Sequence, residues 1–127
     1  MIITTVAIIS YLTNSYLFTK LKDYSVITAA IIEEFLKTYG GYVLGQILLV
    51  HIVFGVVEGF IDIKNNGKMG VFPAIFSLLG HAAFGYITVT VYNLTGNITY
   101  GLLSGVFSHV IYNTLVVGVV NNLNNQS

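Results

Sequence analysis

The chain has 127 residues, of which 55% are hydrophobic and only 8% charged, and its formal net charge is zero. A water-soluble domain would carry about a quarter charged residues, so the composition points to lipid as the solvent. The absence of cysteine excludes a disulfide framework and thiolate chemistry, and five lysines scattered without a basic run argue against nucleic acid as a partner.

Taken in order, residues 2–19 are apolar but speckled with Thr, Ser and Asn. They lack the positive start and small-residue cleavage site of a signal peptide, and read as a first transmembrane helix. Lys20, Lys22 and Asp23 mark an interface, and Tyr24 to Tyr39 reads as a short second helix. The pair Gly40-Gly41 predicts a break, because glycines weaken a helix and permit a turn. Tyr42 to Ile61 approaches the ~20 residues that span a bilayer, interrupted by Gln46, His51 and Glu58.

Asp62 to Gly70 is polar and glycine-flanked, the clearest loop in the chain. Pro73 suits the first turn of the next helix, where its missing N–H costs nothing. That helix is expected to run to about Asn93, followed by a turn at Leu94 to Asn97 and a last helix from Ile98 to about Val120. The tail after it is polar. Lysines in the first and third connections place both on the cytoplasmic side, with the N-terminus outside and the C-terminus inside the cell membrane. Three small-xxx-small pairs, Gly41/Gly45, Gly55/Gly59 and Gly101/Gly105, let helices approach closely. The expected fold is thus all-α: a single integral-membrane domain over 1–127, a polytopic bundle of about five transmembrane helices around a polar cavity.

Ionisable residues divide by location. Lys20, Lys22, Asp23, Asp62, Lys64 and Lys68 fall in predicted connections, whereas Glu33, Glu34, Lys37, His51, Glu58, His81 and His109 all fall in apolar spans. Such residues are costly inside an apolar span and mark a polar interior. On a helix Glu33 and Lys37 are four apart and Glu34 and Lys37 three apart, so all three share a side. One carboxylate can be neutralised by the lysine while the other is left for chemistry.

Four motifs follow one another on separate apolar segments: Glu33-Glu34-x-x-Lys37, Phe54-x-x-x-Glu58, His81 within Gly80-His81-Ala82-Ala83-Phe84-Gly85-Tyr86, and His109-x-x-x-Asn113. In this order they resemble the motif set of the PrsW family of intramembrane proteases, part of a wider group with the CAAX prenyl proteases and bacteriocin-processing enzymes. The resemblance covers a protease-like core of roughly residues 24–120. It implies a membrane-embedded endopeptidase acting on membrane protein or peptide substrates, with the lipid bilayer as its surroundings. Glu33 would be the general base, Glu34 would pair with Lys37, and Glu58, His81 and His109 would build the polar site. Asn113 would hold the oxyanion.

Two histidines, a carboxylate and an open water position also make a familiar zinc arrangement, in which the bound water's pKa falls to ~7. Zinc is therefore expected on His81, His109 and Glu58. His51 is the alternative to Glu58, being deeper in the same segment and on the same face. The mechanism is expected to be metal-assisted; a metal-free route is also open, with Glu33 raised in pKa by burial and a histidine polarising the carbonyl. A non-catalytic relative that binds a peptide or small ligand in the same cavity, and a small transporter or proton-conducting bundle, are the competing readings.

Overall fold

The computed structural model describes residues 2–20 and 26–124. These form α1 (Ile2–Lys20), α2 (Val26–Val43), α3 (Ile47–Asn66), a 3-10 turn (Gly67–Gly70), α4 (Val71–Thr95) and α5 (Ile98–Asn124). Neighbours in sequence pack on one another from α2 through α5, and α5 returns against α2, so these four helices close a ring. α1 lies outside it, against α2 and α3. The all-α expectation holds, with five α-helices among the described residues. Lys22 and Asp23, expected in the first connection, and the last three residues of the tail lie outside the described residues.

Two predicted boundaries move. Gly40 and Gly41 do not break α2, which continues to Val43. The chain turns instead at Gly45, whose φ of 65° is left-handed and open to glycine without a Cβ penalty. Gly41 is needed for space: a Cβ there would lie 2.6 Å from the Ile47 Cα. The second change is at the expected loop over 62–70. α3 runs on through Asp62 and Lys64 to Asn66, and only Gly67–Gly70 leaves the α-helix. Pro73 does fall in the first turn of α4, and Gly96 closes that helix in the left-handed conformation, its N–H donating to Tyr92 O.

No described helix is long and apolar enough to cross a membrane. This overturns the expected polytopic membrane bundle, and with it the placement in the cell membrane with the N-terminus outside and the C-terminus cytoplasmic. Polar residues recur too often along each helix. α2 contains Glu33, Glu34 and Lys37, and α3 contains Glu58, Asp62 and Lys64. α4 and α5 are uncharged, but His81, Thr88, Thr90 and Asn93 interrupt one, and Ser104, Ser108, His109 and Asn113 the other.

The distribution of polarity is nevertheless inverted relative to an ordinary domain. Glu33, Glu34, Lys37, His51, His81 and His109 are all buried, while Ile31, Phe35, Phe60, Phe72, Leu79 and Phe107 are exposed. Glycines let the helices close round this polar centre. Gly55 and Gly59 of α3 sit against Leu78 and Ala74 of α4, and Gly101 and Gly105 of α5 against Thr88. At Gly45, by contrast, an added Cβ would meet nothing within 4 Å; this glycine serves the turn, so the Gly41/Gly45 pair is not a packing seam.

Gly85 of α4 lies close against His51: a Cβ there would lie 2.7 Å from His51 Cβ and 2.8 Å from its Cγ. The ring and its backbone anchor would both have to move. Gly85→Ala should therefore lower stability by about 1–3 kcal/mol, despite alanine's better helix propensity. Denaturant unfolding of the two proteins checks this, and an alanine variant of equal or greater stability would show that the contact imposes no constraint.

Candidate functional site

Glu33 and Glu34 are adjacent in α2, so their side chains leave the helix about 100° apart. Glu34 points to the centre of the ring and is fully buried; Glu33 lies beside it, 7% exposed, on the wall of a cavity. Every oxygen of Glu34 is used. Oε1 accepts hydrogen bonds from Lys37 Nζ at 2.7 Å and from His109 Nδ1 at 3.0 Å, and Oε2 accepts from His51 Nε2 at 3.0 Å. One carboxylate thereby ties α2 to α3 and α5.

Lys37 carries the network to α4. Its ammonium also donates to His81 Nδ1 at 3.0 Å, lies 3.7 Å from Glu33 Oε2, and sits over the Phe54 ring at 4.4 Å from its centroid. Because His81 Nδ1 accepts from an ammonium, the ring proton is on Nε2, which donates to Glu58 Oε2 at 2.7 Å. Ser77 Oγ donates to the same oxygen at 2.6 Å. His51 differs: Nδ1 faces Ile47 O at 2.9 Å and Nε2 faces Glu34, so both nitrogens meet acceptors.

Aromatic rings frame the centre. Phe84 stacks on His109 with centroids 4.7 Å apart, and His81 meets Phe54, Phe84 and His109 edge-on. The His81 and His109 ring centroids are 5.3 Å apart. Glu33, Glu58, Ser77, His81, His109 and Asn113 all reach a cavity of about 210 Å³.

Charge is distributed unevenly over these groups. Burial pushes the Glu33 carboxyl up to about 7, Lys37 only partly opposing it, and the neighbouring Glu58 and Glu34 add to the rise. Burial acts on Glu34 in the same sense, yet Lys37, His109 and His51 together hold it well below the usual carboxylate range. Glu58 is likewise opposed by burial, but His81 and Ser77 bring it down to about 2. Burial lowers His81 to about 4, with Lys37 adding to the effect, and burial is also the main cause of the lowered His109 value.

All the residues singled out in the sequence are brought together: Glu33, Glu34, Lys37, Glu58, His81, His109 and Asn113 around one centre, with His51 behind Glu34. Depth and motif had favoured His51 and Glu58 respectively for one place. The two instead occupy different places on α3, His51 clamping Glu34 and Glu58 reaching the cavity. Ser77 was not foreseen. Its signal was present, since it lies four residues before His81 and hence on the same face of α4.

The expected zinc set is not assembled. Among the described residues the group with ligand atoms within 4.8 Å of one another is Glu34, His81 and His109, not Glu58, His81 and His109. In that group a lysine already engages two of the three residues. Lys37 Nζ stands 2.7 Å from Glu34 Oε1 and 3.0 Å from His81 Nδ1, already holding the atoms a metal would bind at about 2.0–2.2 Å. This ammonium is fully buried and cannot swing out to solvent.

No family model, no curated protein and no solved structure matches the chain.

Two outcomes follow from the position of Lys37. Equilibrium dialysis against zinc should leave the unaltered protein with well under one ion per chain; a stoichiometric ion held through histidine would contradict the assignment. Lys37→Met should lose about 3–5 kcal/mol in chemical unfolding, because it leaves a buried carboxylate without its main counter-charge.

Proposed function

We propose that the chain is a hydrolase of peptide bonds in which Glu33 acts as the general base on water, without a metal. The observation that carries this reading is the contrast between two neighbouring carboxyls. Glu34 is wholly engaged by Lys37, His51 and His109, whereas Glu33 is presented to the cavity with its proton affinity raised to about 7. A base whose pKa lies near the operating pH combines a useful fraction of the reactive form with strong proton affinity.

Supporting it, Asn113 lies one turn beyond His109 on α5 and reaches the same cavity. Its amide N–H is suited to hold the oxyanion formed when water adds to a carbonyl. Glu58, kept ionised by His81 and Ser77, orders the opposite wall. The likeness of the four ordered motifs to the PrsW family points to the same class of reaction. The substrate in this reading is a protein or peptide with one amide placed between Glu33 and Asn113.

Glu33→Gln preserves volume and hydrogen-bonding capacity but removes the base. Cleavage of fluorescently labelled casein should fall by a factor on the order of 10²–10⁴. Unchanged cleavage would remove the catalytic role and leave the ligand-binding reading ahead.

In the unaltered protein the rate should rise with pH through about 7 as the carboxyl ionises, then level off. Stability should move the other way. The folded value lies above the unfolded one, ~4.3, so the contribution of Glu33 is complete below that value and is lost as pH rises through about 7. Thermal unfolding measured across this window should decline in the unaltered protein and flatten in Glu33→Gln; parallel curves would contradict the raised value.

A further inference from the structure

The ring nitrogens of the three histidines have different partners. His51 has both engaged, by Ile47 O and Glu34 Oε2. So does His81, by Lys37 Nζ and Glu58 Oε2. His109 alone directs one nitrogen inward and one at the reactive carboxyl. Its Nδ1 donates to Glu34 Oε1 at 3.0 Å, and its Nε2 faces Glu33 Oε2 at 3.9 Å on the cavity wall. A carboxylate on Nδ1 fixes the proton there and leaves the lone pair on Nε2. It also stabilises the imidazolium that forms when Nε2 takes a proton, as the buried aspartate does in serine hydrolases.

We propose that His109 is the acid that protonates the leaving amine, and that Glu34, clamped by Lys37 and His51, is the positioning residue that sets its tautomer. The inference rests on the hydrolase reading and assigns the second proton transfer of that reaction. Glu33 takes a proton from water as the water oxygen bonds to the carbonyl carbon, and the C=O π pair moves onto oxygen. The proton passes from Glu33 to His109 Nε2. The oxyanion then re-forms the C=O bond, the C–N bond breaks, and His109 Nε2 delivers the proton to the departing nitrogen. Water is thus divided between acid and amine, and both residues return to their starting states. His81 is unable to take this part, since its two nitrogens are held by Lys37 and Glu58.

The arrangement has a readout that does not depend on activity. Nitrogen-15 NMR of histidine-labelled protein should show His109 as the Nδ1–H tautomer with Nε2 unprotonated. Glu34→Gln, which can turn an amide N–H toward His109, should populate the Nε2–H tautomer. An Nε2–H ring in the unaltered protein would overturn the proposal.

Function is tested with His109→Asn, whose amide can keep the donor to Glu34 but has nothing in place of Nε2. Casein cleavage should fall by a factor on the order of 10²–10⁴. Hydrolysis of p-nitrophenyl acetate should fall by at least about tenfold less, because nitrophenolate leaves without a proton. Glu33→Gln should lose both reactions to a similar degree. Equal losses on amide and ester in His109→Asn would assign the residue to water activation or folding and overturn the proposal. Absence of casein cleavage by the unaltered protein would sink the hydrolase reading itself, and the role of His109 with it.

Discussion

A carboxylate and an ammonium, Glu34 and Lys37, are buried together at 2.7 Å in the middle of a helical ring, each with no solvent exposure. Removing two charges from water costs several kcal/mol per ion, and their mutual attraction offsets that only when the remaining donors and acceptors are also satisfied. Here they are: His51 and His109 complete Glu34, and His81 and the Phe54 ring receive Lys37. Each of these partners comes from another helix, so the pair cannot be accommodated unless α2, α3, α4 and α5 all assemble around it. The charge pair is a weak source of net stability but a strong source of register, because a shift of one helix by a residue would strand a buried charge.

This same arrangement separates two residues that are chemically identical and adjacent in the chain. Glu34 faces the axis of the ring and spends its acceptors on structure. Glu33, turned by about 100° of helix rotation, meets the cavity and the side of the Lys37 ammonium rather than its front, at 3.7 Å instead of 2.7 Å. Burial then dominates over attraction for Glu33, and attraction over burial for Glu34. Two carboxyls pushed apart in proton affinity are the usual basis for distinct roles in acid–base chemistry. Lys37 thereby supplies a fixed, buried positive charge about which Glu34 and His81 are oriented.

The apolar residues are largely on the outside, and this shapes the packing. With few large apolar side chains in the interior, close approach of the helices relies on glycine, as at Gly55 and Gly59 against α4 and at Gly85 against His51. Shape at the centre is set by Phe54 and Phe84, which wall the histidines from two sides. The hydrophobic content that dominates the composition is thus spent mostly on exposed helix faces, while the minority of polar residues specify the fold.

Helical periodicity and the segregation of charged residues were legible in the amino-acid order: the all-α class, the pairing of Glu34 with Lys37 at i, i+3, and the convergence of Glu33, Glu58, His81, His109 and Asn113. Spacing along a helix and the cost of a buried charge are local quantities, and they sufficed for that. Composition misled where it was asked about surroundings, because 55% hydrophobic residues do not reveal that polar ones interrupt every helix. The glycines misled at Gly40-Gly41, since a glycine that makes room for a neighbour reads the same as one that makes a turn. Which carboxylate joins His81 and His109, which nitrogen of each ring is engaged, and that a lysine sits between Glu34 and His81 were decided by tertiary structure alone. They depend on distances of about 3 Å between atoms on four different helices, and no spacing within a single helix encodes those.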